Sequence, residues 1–251
     1  MWQTILIQPL TNALVFLTGI FGSLGWAIII LTIFIRLLLL PLLLPTLKSS
    51  QKIKKIAPEL EKLKKKYRQD KTKLAQAQMA LYQKEGINPA SGCLPTIIQM
   101  IILIALYQVF IKALNPDYYE QLKNLLYPFV KMPSGGINLS FWYLNLNKPD
   151  LIGKIPGFFL VTAAIFQLLT SKLTSPAVQI QDKAAKKTPE KSDDMAVMMQ
   201  KQFLFTMPLM TIFIGFTLPA GVTLYWFTSS LVGLIQQYLV SHYFKTKNKS
   251  K

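Results

Sequence analysis

The chain is poor in the residues that carry covalent and metal chemistry. It has one cysteine, Cys93, and one histidine, His242, in 251 residues. A single thiol excludes an internal disulfide framework and a thiolate zinc site. HExxH, GxSxG and Walker A patterns are missing, which leaves an enzyme reading without support and implies no cofactor. Acids are scarce too, with 11 Asp and Glu against 28 Lys and Arg and a net charge of +17. The first basic residue is Arg36, and no A-x-A site follows the start, so the N-terminal segment lacks the marks of a secretory signal. Cys93 also lies too far along for acylation near the start of a lipoprotein.

What the chain has in quantity is uninterrupted apolar sequence. Residues 24–44 exceed what a soluble helix usually buries and are long enough to cross a hydrocarbon layer of roughly 30 Å. Several such blocks exclude a soluble DNA-binding protein as the explanation of the positive charge. The expected class is an all-α membrane protein with five transmembrane helices, at 24–46, 94–113, 155–173, 203–218 and 221–241. The last two are divided because one helix over 203–241 would be roughly 58 Å long at about 1.5 Å per residue. Leu218-Pro219-Ala220-Gly221 supplies the break.

Residues 1–22 are expected to form an interfacial amphipathic helix, with Thr4, Gln8, Thr11, Asn12 and Thr18 on one side and Ile5, Leu6, Leu10, Leu14 and Leu17 on the other. A slightly polar span is the competing reading. The loop 114–154 contains five prolines and glycines between 116 and 136 and Pro149 beyond them, and is expected to be partly ordered without being a domain. The stretch 188–194 reads as a mobile polar loop. No inverted repeat is visible.

Charge fixes the expected orientation. Segment 47–92 carries 12 basic and 4 acidic residues, 174–202 carries 5 and 4, and 245–251 adds four lysines. The loop 114–154 has only 4 basic residues, and the 218–221 turn has none. The excess of Lys and Arg places 47–92, 174–202 and the tail 242–251 in the cytoplasm, with the N-terminus outside.

Arg36 is the most informative residue. It stands about 18 Å from the start of its span and about 15 Å from the end. A central arginine costs from about 2.5–3.5 to about 10–17 kcal/mol by different measures, so it should avoid lipid. All 11 acids lie in loops. The guanidinium is therefore expected to be hydrated and unpaired in a wet cavity, with snorkelling to the cytoplasmic surface as the competing reading. Gln99, Gln108, Gln167, Ser171, Thr206, Thr211, Thr228, Ser229, Gln236 and Gln237 can line that cavity or simply bond between helices. Trp226 can offer its indole N–H to it, whereas Tyr225 fits a membrane-interface anchor better.

Residues 48–85 read as a helical hairpin. Ile53, Ile56, Leu60, Leu63 and Tyr67 form one stripe, which Pro58 should kink or restart. Asp70 can cap the second arm, where Leu74, Ala77, Leu81 and Tyr82 form a weaker stripe, and Gly86 ends it. The basic face includes Lys52, Lys54, Lys55, Lys62, Lys64, Lys65, Lys66 and Arg68. Anionic headgroups suffice to explain it, and ribosomal RNA or an acidic partner is compatible. Met195, Met198, Met199, Met207 and Met210 gather at the entry to the fourth span, where thioethers suit varied apolar partners or ordinary packing.

Three stretches in order carry a resemblance. They are Ile33-Phe34-Ile35-Arg36-Leu37 running into Leu40-Pro41-Leu42; Lys84-Glu85-Gly86-Ile87-Asn88-Pro89 with Gly92-Cys93-Leu94-Pro95 and Ala105-Leu106-Tyr107; and Phe216-Thr217-Leu218-Pro219-Ala220-Gly221 with Leu224-Tyr225-Trp226 and Gln236-Gln237-Tyr238. Together they resemble the YidC-type membrane protein insertase family, which has mitochondrial and chloroplast relatives. The resemblance implies five helices around a hydrophilic groove open to cytoplasm and lipid and closed outside. Arg36, Gln167, Trp226 and Gln99 would belong to that groove. Helices two and four would form an apolar slide for substrates, with Met100, Leu103, Met207 and Met210 on it. The cytoplasmic hairpin, including Lys54, Lys55, Lys65 and Tyr67, would be a mobile element needed for insertion.

Compared with some members, the chain as read lacks a large extra-cytoplasmic domain with a leading span, a lipoprotein signal and a long ribosome-binding tail. The function implied is an insertase and chaperone in the bacterial inner membrane. Its partners would be nascent integral membrane proteins and lipids, with a ribosome and a secretion translocon as further candidates. Two rivals are an anion channel or transporter with Arg36 as binding charge, and an assembly scaffold recruiting through the basic hairpin.

Overall fold

A computed structural model describes residues 1–67, 70–87, 94–174 and 195–249. Cys93, Arg68 and the loop 188–194 lie outside the described residues. So do the side chains of Lys54, Met195, Met198 and Met199 and those of the basic tail. The described chain is mostly helical, and its residues divide into two compact units.

The first unit comprises Met1–Leu39, Ile97–Gln167 and Pro208–Gly233. It opens with a π-turn, Gln3–Ile7, that runs into helix α1, Gln8–Phe21. Gly22 ends α1 in a left-handed conformation (φ 67°) that a side chain would resist. Part of the polar stripe is buried, at Thr11, Asn12 and Thr18, together with Leu14 from the apolar side, while Thr4, Ile5, Phe16 and Ile20 are exposed. Asn12 shows why a polar residue is buried here. Its amide donates to Leu125 O and accepts from Tyr127 N–H, satisfying two groups of a loop that has no ladder of its own.

Helix α2 spans Leu24–Lys55 and contains Pro41 and Pro45. The first span expected from the sequence ends at 46, but the helix runs on for nine residues. Helix α5 is Leu94–Leu114. A 3-10 turn at Pro116–Tyr118 and a short helix α6, Tyr119–Lys123, follow it. Two antiparallel hairpins then form, β1 (Ser140–Phe141) with β2 (Leu144–Asn145) and β3 (Leu151–Ile152) with β4 (Ile155–Pro156). These strands amend an all-α expectation, and strands of two residues are too short to leave a periodic signal. Helix α7 is Phe158–Thr174, so the third span, expected from 155, starts after a strand. Helix α8 is Met195–Gly215 and α9 is Ala220–Lys249.

The loop after α6 has a definite task in this unit, since it caps three helices. Leu24 N–H, at the start of α2, donates to Asn138 O at 3.1 Å. Ala220 and Gly221, opening α9, donate to Lys148 O at 2.7 Å and Leu146 O at 3.1 Å. At α7 the residue before the helix is Gly157, which has no side chain to cap with. Asp150 supplies the missing acceptor: its buried carboxylate takes Leu160 N–H at 2.7 Å and Tyr143 O–H at 2.8 Å. Phe158 N–H in turn donates to Tyr143 Oη at 2.9 Å. A Cβ on Gly157 would stand 1.8 Å from Asp150 Oδ1, so the glycine makes room for the borrowed cap. Burial pushes the Tyr143 phenol up to about 12, and its bond to Asp150 adds to the rise. Helices α2, α7 and α9 therefore begin at one face.

The core beneath the loop joins Leu14, Ile28, Phe110, Leu122, Leu146 and Leu224, all essentially fully buried. Gly25 permits the closest approach there, because a Cβ would lie 2.2 Å from Phe141 Cδ2.

The second unit comprises Leu40–Thr96, Leu168–Met207 and Leu234–Lys251, within the described residues. Helix α2 stops at Lys55, and α3, Ala57–Lys66, restarts with Pro58 in its first turn. Asp70 caps α4, Lys71–Lys84, by accepting Lys73 N–H at 2.9 Å. That bond holds the Asp70 carboxyl below its usual range. Gly86, at φ 60°, turns the chain out of α4. The arms meet through Ile56, Leu60, Leu81 and Ile87, with Ile53, Leu63 and Tyr82 against them. Lys52 Nζ donates to Glu85 O at 3.2 Å and ties the base of the hairpin to α2. Elsewhere in the unit Gln237 donates to Leu173 O at 3.5 Å.

Among the described residues, three helices are long and apolar enough to cross a membrane: Gln3–Phe21, Leu24–Pro45 and Ile97–Leu114. Two shorter apolar helices are Phe158–Leu173 and Phe205–Gly215.

Candidate functional site

Arg36 lies two-fifths of the way along α2, on the face that also carries Ile28 and Thr32 at four-residue intervals. Thr32 turns its hydroxyl back to Ile28 O at 2.6 Å, so it leaves the face to the guanidinium. Opposite stands α9, where Tyr225, Ser229 and Gly233 repeat every four residues and so form one stripe.

The guanidinium is not left to water alone, as the sequence leads one to expect. Nε donates to Ser229 Oγ at 2.9 Å, and Nη2 donates to the same oxygen at 2.5 Å. Nη2 also donates to Gln99 Oε1, from α5, at 3.0 Å. The amide of Gln99 is then fixed by its other end, which donates to Tyr225 Oη. Three helices thus meet at one cation through hydroxyl and amide groups. Gly233 stands beside the guanidinium, and a Cβ there would meet Arg36 Nη1 at 3.6 Å, an ordinary contact.

This arrangement is unusual energetically. Arg36 is half-buried, while Ser229 and Tyr225 are 2% exposed. Ser229 and Gln99 are neutral, so neither cancels the charge, although each satisfies an N–H. A guanidinium held this way retains its attraction for anions and is oriented by the protein.

The remaining sequence-derived candidates are dispersed. Gln167 on α7 is half-buried and accepts from Thr211 of α8 at 2.7 Å, in a polar contact of its own. Trp226 is half-buried and packs on the apolar core. Met100 is exposed and Leu103 half-buried on α5, while on α8 Met210 is exposed and Met207 half-buried. On the hairpin Lys55 is exposed, Lys65 pairs with Glu61 at 3.2 Å, and Tyr67 lies under Lys66 Nζ at 5.3 Å. Among the described residues no cluster of His, Cys, Asp or Glu could hold a metal.

Two residues escaped the sequence reading. Tyr225 is a buried partner of the arginine cluster, not an interface anchor; the available signal was its place four residues before Ser229. Gly233, four residues after, carries the same signal.

Comparison with known proteins places this geometry in context. The sequence profile of the 60Kd inner membrane protein family matches residues 16–248. "Membrane protein insertase YidC" of Campylobacter jejuni is 30% identical over 250 residues, covering 100% of this chain and 40% of the relative. Its namesake in Rickettsia akari is 31% identical, covering 96% and 40%. "Membrane protein insertase YidC 1" of Streptococcus pyogenes is 36% identical, covering 89% and 69%. A solved structure described as an active YidC insertase with its first transmembrane domain resolved superposes with a TM-score of 0.57 at 26% identity. That likeness covers 94% of this chain and 46% of the other. The chain thus spans 40% of the length of the Campylobacter and Rickettsia relatives it matches.

Proposed function

Because the chain belongs to the 60Kd inner membrane protein family, we propose that it is a membrane insertase and chaperone, delivering integral membrane proteins into the lipid without nucleotide or covalent chemistry. The observation that carries the reading is a half-buried arginine, in mid-span, gripped by the neutral groups of Ser229 and Gln99. Five helices cross the bacterial inner membrane, the N-terminus outside and the basic hairpin, the 174–202 segment and the tail in the cytoplasm. The common starting face of α2, α7 and α9 supports this alternation, since odd-numbered spans must begin on one side. A loop that caps those three helices supports a groove closed on the outer face.

Substrates enter by the cytoplasmic mouth. Arg36 attracts an acidic flank to mid-depth, which shortens the apolar barrier that flank has to cross. The hydrophobic segment then passes into lipid along α5 and α8, where Met100 and Met210 are exposed. Gln167 and Trp226 line the same groove, and the hairpin with Lys54, Lys55, Lys65 and Tyr67 approaches the incoming chain. Attraction has to stay modest, because groove water screens it and the substrate must leave.

The test is reconstituted insertion of a single-span substrate with an acidic N-terminal flank. Arg36→Ala should cut insertion severalfold, and Arg36→Lys should retain much of it. Undiminished insertion by Arg36→Ala removes the electrostatic step.

A further inference from the structure

The β1–β2 turn holds an unexplained residue. Trp142 and Tyr143 make a two-residue hairpin turn, and Trp142 sits at φ 55°, a backbone region that favours glycine. Tyr143 is accounted for by the cap it shares with Asp150. Trp142 is not: the residue is 78% exposed, with Phe158 at 6.1 Å and Phe159 at 5.8 Å in T-shaped contact. A bulky side chain kept in a strained conformation and shown outward points to use at that surface.

The second hairpin shows the same character. Ile152 and Ile155 face each other across β3–β4 and both are exposed. Its turn is Gly153-Lys154, and Lys148 is exposed before it. Three residues after Ile155 the chain enters α7, whose first residue, Phe158, is exposed beside Trp142.

We propose that these two hairpin tips form a lipid-interface anchor, in which Trp142, Ile152 and Ile155 enter the boundary of headgroups and acyl chains and Lys148 and Lys154 meet lipid phosphates. Three features select lipid as the occupant. The tips adjoin the start of an apolar helix, where a spanning segment leaves water. Tryptophan prefers that boundary, because its ring is apolar and its N–H needs a polar partner. Flanking lysines complement anionic headgroups. The inference rests on α7 being a membrane span. It assigns the loop a second duty: by gripping the outer leaflet it holds the cap over α2, α7 and α9 at a fixed depth.

The full chain bearing Trp2→Phe, Trp26→Phe and Trp226→Phe leaves Trp142 as its one indole. It is reconstituted in phosphatidylcholine–phosphatidylglycerol vesicles carrying bromine near the carboxyl end of the acyl chains or near the terminal methyl. The expected result is blue-shifted emission, shielding from aqueous acrylamide, and about twofold quenching by the shallow bromine with less by the deep one. Water-like emission with free acrylamide access and no bromine quenching overturns the anchor, including the case of a protein partner covering these tips in its place. Retention in vesicles after alkaline extraction is measured on the same sample. Loss from the vesicles would sink the membrane reading itself, and retention with a water-exposed Trp142 would sink only the anchor.

Discussion

Replacing Asp150 tests the architecture that closes one end of the first unit. The residue is fully buried, and its carboxylate accepts Leu160 N–H at 2.7 Å and Tyr143 O–H at 2.8 Å. Hydrogen bonds to a charged group contribute about 1.5–3 kcal/mol each, and their effects on a shared carboxylate do not add fully. Asp150→Ala strips both and orphans the N–H of the third residue of α7, so a loss of about 3–5 kcal/mol is expected. Asp150→Asn keeps one oxygen for Leu160. It forfeits the charge at the helix N-terminus and presents an amide to a phenol that already accepts Phe158 N–H. A loss of about 1–2 kcal/mol follows. Denaturant titration in mild detergent, read by intrinsic fluorescence, ranks the three proteins. Limited proteolysis between 138 and 157 gives a second readout, with both variants cut faster. If Asp150→Ala lies within about 0.5 kcal/mol of the parent, the borrowed cap does not carry the end of α7.

Two further outcomes follow from the same geometry. Tyr143 has its phenol raised to about 12, so the folded state holds a proton that the unfolded chain gives up near pH 10. Its stabilising contribution is intact below pH 10 and is lost as pH rises from about 10 toward 12, and Tyr143→Phe should flatten stability in that window. Ser229→Ala removes the oxygen that takes two donors from Arg36. Insertion of acidic-flank substrates should fall less than in Arg36→Ala, with substrates lacking the acidic flank unchanged in a paired insertion assay.

What could be read in advance depended on range. Arg36 stands out from sequence alone because a mid-span cation is expensive wherever its partners lie. Pro58, Asp70 and Gly86 act within a turn or two of their own positions, so the restart, the cap and the exit of the basic hairpin were legible. Asp150 was not, because it caps a helix that starts eight residues later, past a hairpin whose two-residue strands show no period. The burial of Asn12 in α1 was equally hidden. Asn12 is polar for the sake of Leu125 and Tyr127, over a hundred residues away. Tyr225 beside Trp226 has the composition of an interface belt, and only its alignment with Ser229 and Gly233 ties it to the arginine. The partners of Arg36 come from α5 and α9; Gln99 and Ser229 stood among ten polar candidates, but nothing in the sequence singled them out from the other eight.

Whether a substrate passes the guanidinium is the most direct question. A photoreactive residue at position 233 leaves Arg36, Ser229 and Gln99 in place, and its Cβ has room at 3.6 Å from Nη1. Illumination during synthesis of a single-span membrane protein should yield an adduct with the nascent chain, weakened when the acidic flank is made neutral. Adducts with lipid alone, from a protein that still inserts its substrate, would contradict the account.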